Sequence, residues 1–243
     1  MITSKDNPKL KSWIKLKQAK YRKKEKMFIV EGEHLVEEAL KANIIEEIII
    51  RDGESYQTYE KFTVLPKNLF NLLTQTVTPT GILAICHIKK RPITKNRRLL
   101  IVDNVQDPGN LGTLIRSALA FNFDGIIFSN ETVDPFNEKV VRASQGAIFH
   151  IPFLIDDLPT QVSELKKEGV KLYATNLSSE SVEMSKILPR DLMAFIVGNE
   201  GAGVGKKIID FSDEQLIINM SSKVESLNVG VAGSLIMHHF NGL

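Results

Sequence analysis

The chain has 243 residues, 43% of them hydrophobic and 25% charged, with a formal net charge of +2. This is near the average for folded globular chains and excludes wholesale disorder. No apolar run approaches the roughly 18 residues of a membrane span. The first residues carry no signal-peptide apolar region, and a single cysteine, Cys86, excludes a disulfide framework or a cysteine-ligated zinc. A soluble cytoplasmic protein in a reducing compartment is expected.

In chain order, Asn7-Pro8 reads as a helix start, with Leu10, Trp13 and Ile14 as a narrow apolar stripe among lysines. A strand at Phe28–Val30 precedes an amphipathic helix carrying Leu35, Val36, Ala39 and Leu40. Short strands are predicted at Ile48–Ile50, Phe62–Leu65 and Gly81–Cys86, with a helix near Pro66–Leu73 and Cys86 in the core. Lys89–Arg98, which contains Pro92 and no apolar periodicity, marks a boundary between a domain at 1–90 and one at 91–243. Beyond it apolar runs recur at Leu99–Val102, Gly125–Phe128, Ile148–Leu154, Val170–Ala174, Met193–Val197 and Leu216–Ile218. Helical patterns lie between them, clearest at 110–121 and 228–240. Continuous rather than alternating apolar runs mean strands covered on both faces, hence an α/β domain with a mostly parallel sheet.

Charge is distributed unevenly. Residues 1–26 hold ten Lys/Arg against Asp6 and Glu25, a local net of +8, which leaves −6 for the remainder. A second basic run comprises Lys89, Lys90, Arg91, Lys95, Arg97 and Arg98. Two such segments on an otherwise acidic chain read either as a polyanion footprint or as a solvated helix face and linker.

Ligands of parallel sheets bind beyond the carboxyl ends of the strands. Here those ends are small and polar: Asp103-Asn104, Ser129-Asn130, Thr175-Asn176, Gly198-Asn199-Glu200-Gly201 and Asn219-Met220. Three segments stand out. Asp107 to Arg116 opens a helix whose Leu111, Leu114, Ile115, Ala118 and Leu119 fall at core spacing, with Asn110, Thr113 and Arg116 on the other stripe. A cation so early in a helix opposes the macrodipole, which fits a nearby anion; otherwise Arg116 is simply solvated. The glycine run Gly198–Gly205 lets backbone approach a ligand. It is neither a P-loop, because Lys207 stands where Ser or Thr is needed, nor the dinucleotide fingerprint, because Lys206 replaces the third glycine. Last, Ser226-Leu227-Asn228-Val229 opens a helix made thin by Gly230, Ala232, Gly233 and Ser234, with Asn228 as its cap. The five histidines lack metal spacing, and no metal site is expected.

Together these segments resemble the SpoU (TrmH-like) branch of the SPOUT RNA methyltransferases. The match lies in Asn110 followed by Arg116, in Gly198-x-Glu200-Gly201 after a strand, and in Ser226-Leu227-Asn228-Val229. The first ninety residues, with Tyr21-Arg22 and Phe28-Ile29-Val30-Glu31-Gly32, are similar to the substrate-binding domain often fused to this catalytic domain. Two positions depart from the family pattern: Asn219, where Pro is common, and Gly230, where Ser or Ala is usual.

The resemblance implies a small ribosomal-protein-like α/β domain at 1–90 that binds RNA. It also implies a catalytic domain at 91–243 with a deep trefoil knot, forming a homodimer through the C-terminal domain. The implied reaction is S-adenosylmethionine-dependent methylation of a ribose 2′-hydroxyl in RNA, ribosomal rather than transfer RNA. The catalytic residues would be Arg116, Asn110, Glu200, Ser226 and Asn228, and the cofactor residues Thr175, Gly198, Ile218, Met220 and Leu227. Lys9, Lys11, Lys15, Arg22, Lys23 and Lys24 would contact RNA, with no metal and no membrane involved. A non-catalytic RNA-binding protein is the alternative of a different class; a nucleotide-binding oxidoreductase is disfavoured by the broken fingerprint.

Overall fold

A computed structural model of the chain describes residues 1–56, 61–76, 78–89, 91–94 and 98–241. It divides into two compact units, Met1–Lys89 with Phe136–Phe149, and Lys90–Pro135 with His150–Leu243.

The first unit opens with α1 (Pro8–Lys15) and α2 (Ala19–Glu25). The Asn7 side chain caps α1 by accepting from the Lys9 and Leu10 backbone N–H groups, with Pro8 in the first turn. There follow β1 (Met27–Glu31), α3 (Glu33–Lys41), β2 (Ile45–Arg51), β3 (Thr63–Leu65), α4 (Lys67–Phe70) and β4 (Ile82–His87). The strands form one sheet in the order β1-β4-β2-β3, antiparallel about β4 and parallel between β2 and β3. Leu10, Trp13 and Leu16 pack with Leu69, Phe70 and Leu73 against Ile49, Leu83 and Ile85. Cys86 is fully buried and burial pushes its thiol up, so it is an inert core group. The helix expected near Pro66–Leu73 is a single turn, and Leu40 of α3 is exposed.

The second unit runs β5 (Arg98–Val102), α5 (Pro108–Ala120), β6 (Gly125–Ser129), β7 (Phe153–Asp156), α7 (Leu158–Lys167), β8 (Lys171–Thr175), β9 (Val182–Glu183), β10 (Met193–Val197), α8 (Lys206–Phe211), β11 (Glu214–Ile217) and α9 (Val229–His239). These strands form one sheet in the order β7-β6-β5-β10-β8-β11-β9, every pairing parallel. Leu99, Ile101, Ala194 and Ile196 face α7 and α8 through Val162, Leu165 and Ile208. Leu114, Ile115, Ile236 and Phe240 of the α5–α9 pair are buried, and Phe195 stacks with Phe240 and Tyr173 at centroid distances of 4.6 and 5.5 Å. Burial on both faces is what the continuous apolar runs require. Leu119, expected in the core, is instead 36% exposed at the last turn of α5.

The segment Phe136–Phe149, which sequence places in the second domain, belongs to the first unit. There α6 (Glu138–Ala143) buries Val140 and Val141, and the rings of Phe136 and Phe149 lie 4.8 and 5.7 Å from Phe28. Burial pushes the Lys17 ammonium below and the Glu138 carboxyl above their ordinary values, each opposed by opposite charges around it. The apolar run Ile148–Leu154 is therefore not one strand: Ile148 sits in a 3-10 turn and pairing starts only at Phe153, after Pro152. Periodicity cannot tell a buried turn from a buried strand, and Pro152, at the start of this edge strand, meets β6 only through its carbonyl, which accepts from the Ile126 N–H at 3.0 Å.

Because Phe136 fills the core over β1, Phe136→Ala lowers stability by about 3 kcal/mol in chemical denaturation. A loss within surface-substitution scatter would remove this segment from the first unit's core.

Candidate active site at the carboxyl edge of the parallel sheet

The site is built on the exit of β10. Gly198 is buried, and a Cβ there would lie 2.1 Å from the Gly203 carbonyl carbon and 2.2 Å from the Val204 nitrogen. No other residue fits without moving backbone. The chain turns back on itself, with Asn199 and Gly203 exchanging backbone hydrogen bonds of 2.9 and 3.0 Å and Gly203 in the left-handed region at φ +71°. The Asn199 side chain accepts from the Gly201 and Ala202 N–H groups at 3.0 Å each and donates to the Asn104 carbonyl at 2.9 Å. Asp103 accepts from the Gly205 N–H at 2.8 Å. The end of β5 thus pins both ends of the glycine loop.

This loop walls a cavity of about 510 Å³, within the range of small-molecule sites. All five residues expected to hold a cofactor, Thr175, Gly198, Ile218, Met220 and Leu227, line it. Thr175 donates its hydroxyl to the Ile196 carbonyl at 3.1 Å. Of the expected catalytic residues, Glu200, Ser226 and Asn228 also line it. The β6 end, Ser129-Asn130, does not; Ser129 is buried, bonding Thr132 and the Asn104 N–H at 3.0 Å each.

Beside the cavity three segments distant in sequence share one hydrogen-bond chain. The Asn228 amide donates to Asn110 Oδ1 at 2.8 Å, and Asn110 donates to Glu200 Oε1 at 3.1 Å. Glu200 further accepts from the backbone N–H of Asp107 at 2.9 Å and of Gln106 at 3.2 Å. Both asparagines are themselves tied to helix starts. Asp107 caps α5 by accepting from the Asn110 N–H at 2.8 Å, and Asn228 caps α9 by accepting from Gly230 and Val231. Burial pushes the Glu200 carboxyl up, but the hydrogen bonds from Asn110, Asp107, its own N–H and Gln106 outweigh it, and the group is held below its ordinary value. Glu200 is therefore an anion at neutral pH.

The close α5–α9 packing explains the thin helix: a Cβ on Gly233 would meet Leu114 Cδ2 at 2.3 Å, and one on Gly230 would crowd Thr113 at 3.3 Å. Arg116, two turns along α5, is exposed and makes no hydrogen bond or ion pair with the described residues, so a single chain does not bring its guanidinium into the cluster. The Ser226 hydroxyl is likewise unpartnered among the described residues. Asp103 and Asn199 are among the polar strand ends the sequence offers, though without an assigned role, whereas Gln106, whose Nε2 donates to Asn104 at 2.7 Å and to the Glu131 carbonyl at 2.6 Å, is not among them. Strand-end Asp and Asn marked the region; no local signal marks Gln106.

The predicted RNA contacts lie in the first unit. Lys9 pairs with Glu47 at 3.3 Å, Lys11 with Asp6 at 2.7 Å and Lys24 with Glu25 at 3.7 Å, while Lys15 approaches the Tyr21 ring and Lys23 is exposed. Exposed pairs of this kind are weak and leave the ammonium groups available. Arg22 is the correction: it is buried, donating to the Leu16 and Lys17 carbonyls at 2.9 and 3.0 Å, and serves the turn between α1 and α2. In the second basic run Lys89 donates to the Asn43 carbonyl, and Lys90, Lys95 and Arg97 lie outside the described residues.

Residues 97–238 match the model of the SpoU rRNA Methylase family, and residues 7–84 match the MRM3-like substrate binding domain. The chain is 42% identical over 246 residues to the 23S rRNA (guanosine(2553)-2'-O)-methyltransferase RlmP of Bacillus subtilis, with 99% of each chain covered. An AdoMet-bound rRNA methyltransferase from Sinorhizobium meliloti superposes with a TM-score of 0.86 at 27% identity, covering 98% of this chain and 95% of that one. The SpoU methyltransferase AviRb from Streptomyces viridochromogenes, in complex with AdoMet, shares the fold at 20% identity, with a TM-score of 0.85 and 96% of each chain covered. On the strength of the family match and the whole-length relative, the chain belongs to the SpoU rRNA methylase family.

Proposed function

We propose that the protein methylates a ribose 2′-hydroxyl of ribosomal RNA, using S-adenosylmethionine held in the cavity beneath the glycine loop. The observation that carries this reading is the convergence of the Asn110, Glu200 and Asn228 segments at the rim of one cavity. The named activity of the Bacillus subtilis relative, which aligns over the whole chain, favours ribosomal over transfer RNA. A non-catalytic RNA-binding protein would have no need of a wall that only glycine can form at position 198.

The donor set suits the cofactor. Ile218, Met220 and Leu227 offer apolar contact for a nucleoside ring, and the glycine backbone offers close approach. When bound, S-adenosylmethionine supplies an electrophilic methyl on a sulfonium. The chain's own work is to orient the ribose and to stabilise the oxygen as its proton passes to solvent water. Asn110, Ser226 and Asn228 position the sugar, and the Glu200 carboxylate, engaged by four donors, holds Asn110 and the start of α5 in place. Arg116 stabilises the developing alkoxide and holds the adjacent phosphate; a guanidinium scarcely deprotonates, so it is not the base.

The same reading assigns 1–90 to RNA binding as a ribosomal-protein-like domain and 91–243 to catalysis. Lys9, Lys11, Lys15, Lys23 and Lys24 are its phosphate contacts. A trefoil knot at the C-terminal end is supported by the chain's path, which leaves β11 beyond β8, passes the cavity rim and returns to pack α9 on α5 and β10. A homodimer is supported by the exposed Leu119, Val231 and Leu235 on α5 and α9, and it is the assembly that would complete the surroundings of Arg116. No helix among the described residues is long and apolar enough to cross a membrane, and no group of three or more metal-binding side chains occurs among them. The action on 23S rRNA named for the Bacillus subtilis relative supports a cytoplasmic location.

Arg116→Ala reduces methyl transfer at least about a hundredfold while calorimetry finds cofactor affinity unchanged; retained turnover removes Arg116 from the mechanism. Because Glu200 is held below its ordinary value, its contribution is complete at neutral pH and is lost only as pH falls through and below the usual Glu range near about 4.3. Cofactor affinity measured by calorimetry is accordingly flat from neutrality to mild acid, and a decline already near neutrality contradicts the assignment. Replacing Lys11, Lys23 and Lys24 together with alanine flattens the slope of log affinity against log salt by about two. An unaltered slope places the RNA elsewhere.

A further inference from the structure

Two aromatic residues occur in α1 and α2, and the fold treats them oppositely. Trp13 is buried in the core, whereas Tyr21 is only partly covered. The ammonium groups of Lys15 and Lys20 lie 5.6 and 4.9 Å from the Tyr21 ring centroid, and both lysines are exposed. The ring is thus reachable by solvent-borne groups. Its hydroxyl has no protein partner among the described residues, and no buried side-chain polar atom among them is left unsatisfied, so the phenol faces water.

The turn that carries the ring is also held in place. Arg22, its neighbour in sequence, points inward and clamps the end of α1 through the Leu16 and Lys17 carbonyls, while the Tyr21 N–H donates to the Gln18 carbonyl at 3.0 Å. Lys17 in turn donates to the Thr74 carbonyl at 2.9 Å. An amphipathic ring on a fixed turn loses little entropy on binding. Lys15 and Lys20 supply positive charge at the ring, and Lys23 and Lys24, exposed on the same short helix, add to it.

We infer that Tyr21 is a stacking platform for an unpaired RNA base, with Lys15 and Lys20 taking the phosphates that flank it. The inference rests on the RNA-binding reading of the first unit. A base within a duplex is already stacked on both faces; an unpaired one can lay its π-face on the phenol. As it does so, the ammonium groups exchange a weak ring contact for a phosphate of full opposite charge. The surface therefore selects loops and single strands, which the lysines alone could not do, because phosphates occur equally in duplexes.

The test compares binding of an RNA hairpin with an unpaired loop and of a blunt duplex of the same composition, using the full-length protein. Wild type binds the hairpin more tightly. Tyr21→Ala loses about tenfold for the hairpin and keeps its duplex affinity, and Tyr21→Phe retains hairpin binding because the ring and not the hydroxyl stacks. Melting temperature and S-adenosylmethionine affinity of each variant report that the fold is intact. Equal losses for hairpin and duplex, or no loss for either, overturn the platform while leaving RNA binding in place. Failure of the wild-type protein to bind either RNA would overturn the RNA-binding reading itself, and the platform with it.

Discussion

The exit of β10 sets the geometry on which the rest of the site depends. Where most parallel strands would continue into a loop that swings clear, this chain folds the Gly203–Val204 peptide against the α-carbon of Gly198, inside the space a methyl group would occupy. That contact turns the following residues over the carboxyl edge of the sheet. It leaves Glu200 pointing at the start of α5 and leaves the cavity roofed by backbone. The loop would not hold this shape by itself: Asp103 and Asn104, at the end of the neighbouring β5, take its free donors, and parallel register brings Val102 beside Val197 so that they can.

The charge at the centre of the cluster is used structurally. Glu200 accepts from one side-chain amide and several backbone N–H groups, an arrangement that stabilises the anion and fills its acceptor sites. It is thereby a poor candidate for a general base and a good orienting group. The chain of amides that leads from it through Asn110 to Asn228 fixes which face each asparagine presents. Arg116 stands outside this chain, exposed on the same helix, which suits a group whose partner is a phosphate arriving with the substrate.

The first unit shows a similar division between buried and presented polar groups. Within one basic hairpin Arg22 is a core clamp, Lys17 is drawn to a backbone carbonyl, and the other lysines remain in water. A guanidinium satisfies several carbonyls at once through its planar fork, whereas an ammonium is better hydrated, so the arginine is the residue that goes inside. Exposed lysines on a rigid turn form a surface with a defined shape rather than a flexible basic tail.

Much of this was legible along the chain. Continuous apolar runs with β-branched residues specify strands covered on both faces, and Asp107, Asn228 and the prolines of the first turns mark helix starts, because these are local properties of residue type and spacing. The three motif segments were recognisable for the same reason. What could not be read was where segments go relative to one another. Phe136–Phe149 joins the first unit because its rings find Phe28, the run at Ile148 breaks because Ala147–Phe149 closes that segment as a 3-10 turn of the first unit whereas β7 belongs to the second, and Leu119 and Arg22 exchange the environments their types predict. Composition and periodicity determined the elements and the chemistry available at the sheet edge. Only tertiary packing decided which donors meet which acceptors, since a hydrogen bond such as that between Asn110 and Asn228 joins residues 118 positions apart, a separation no local pattern encodes.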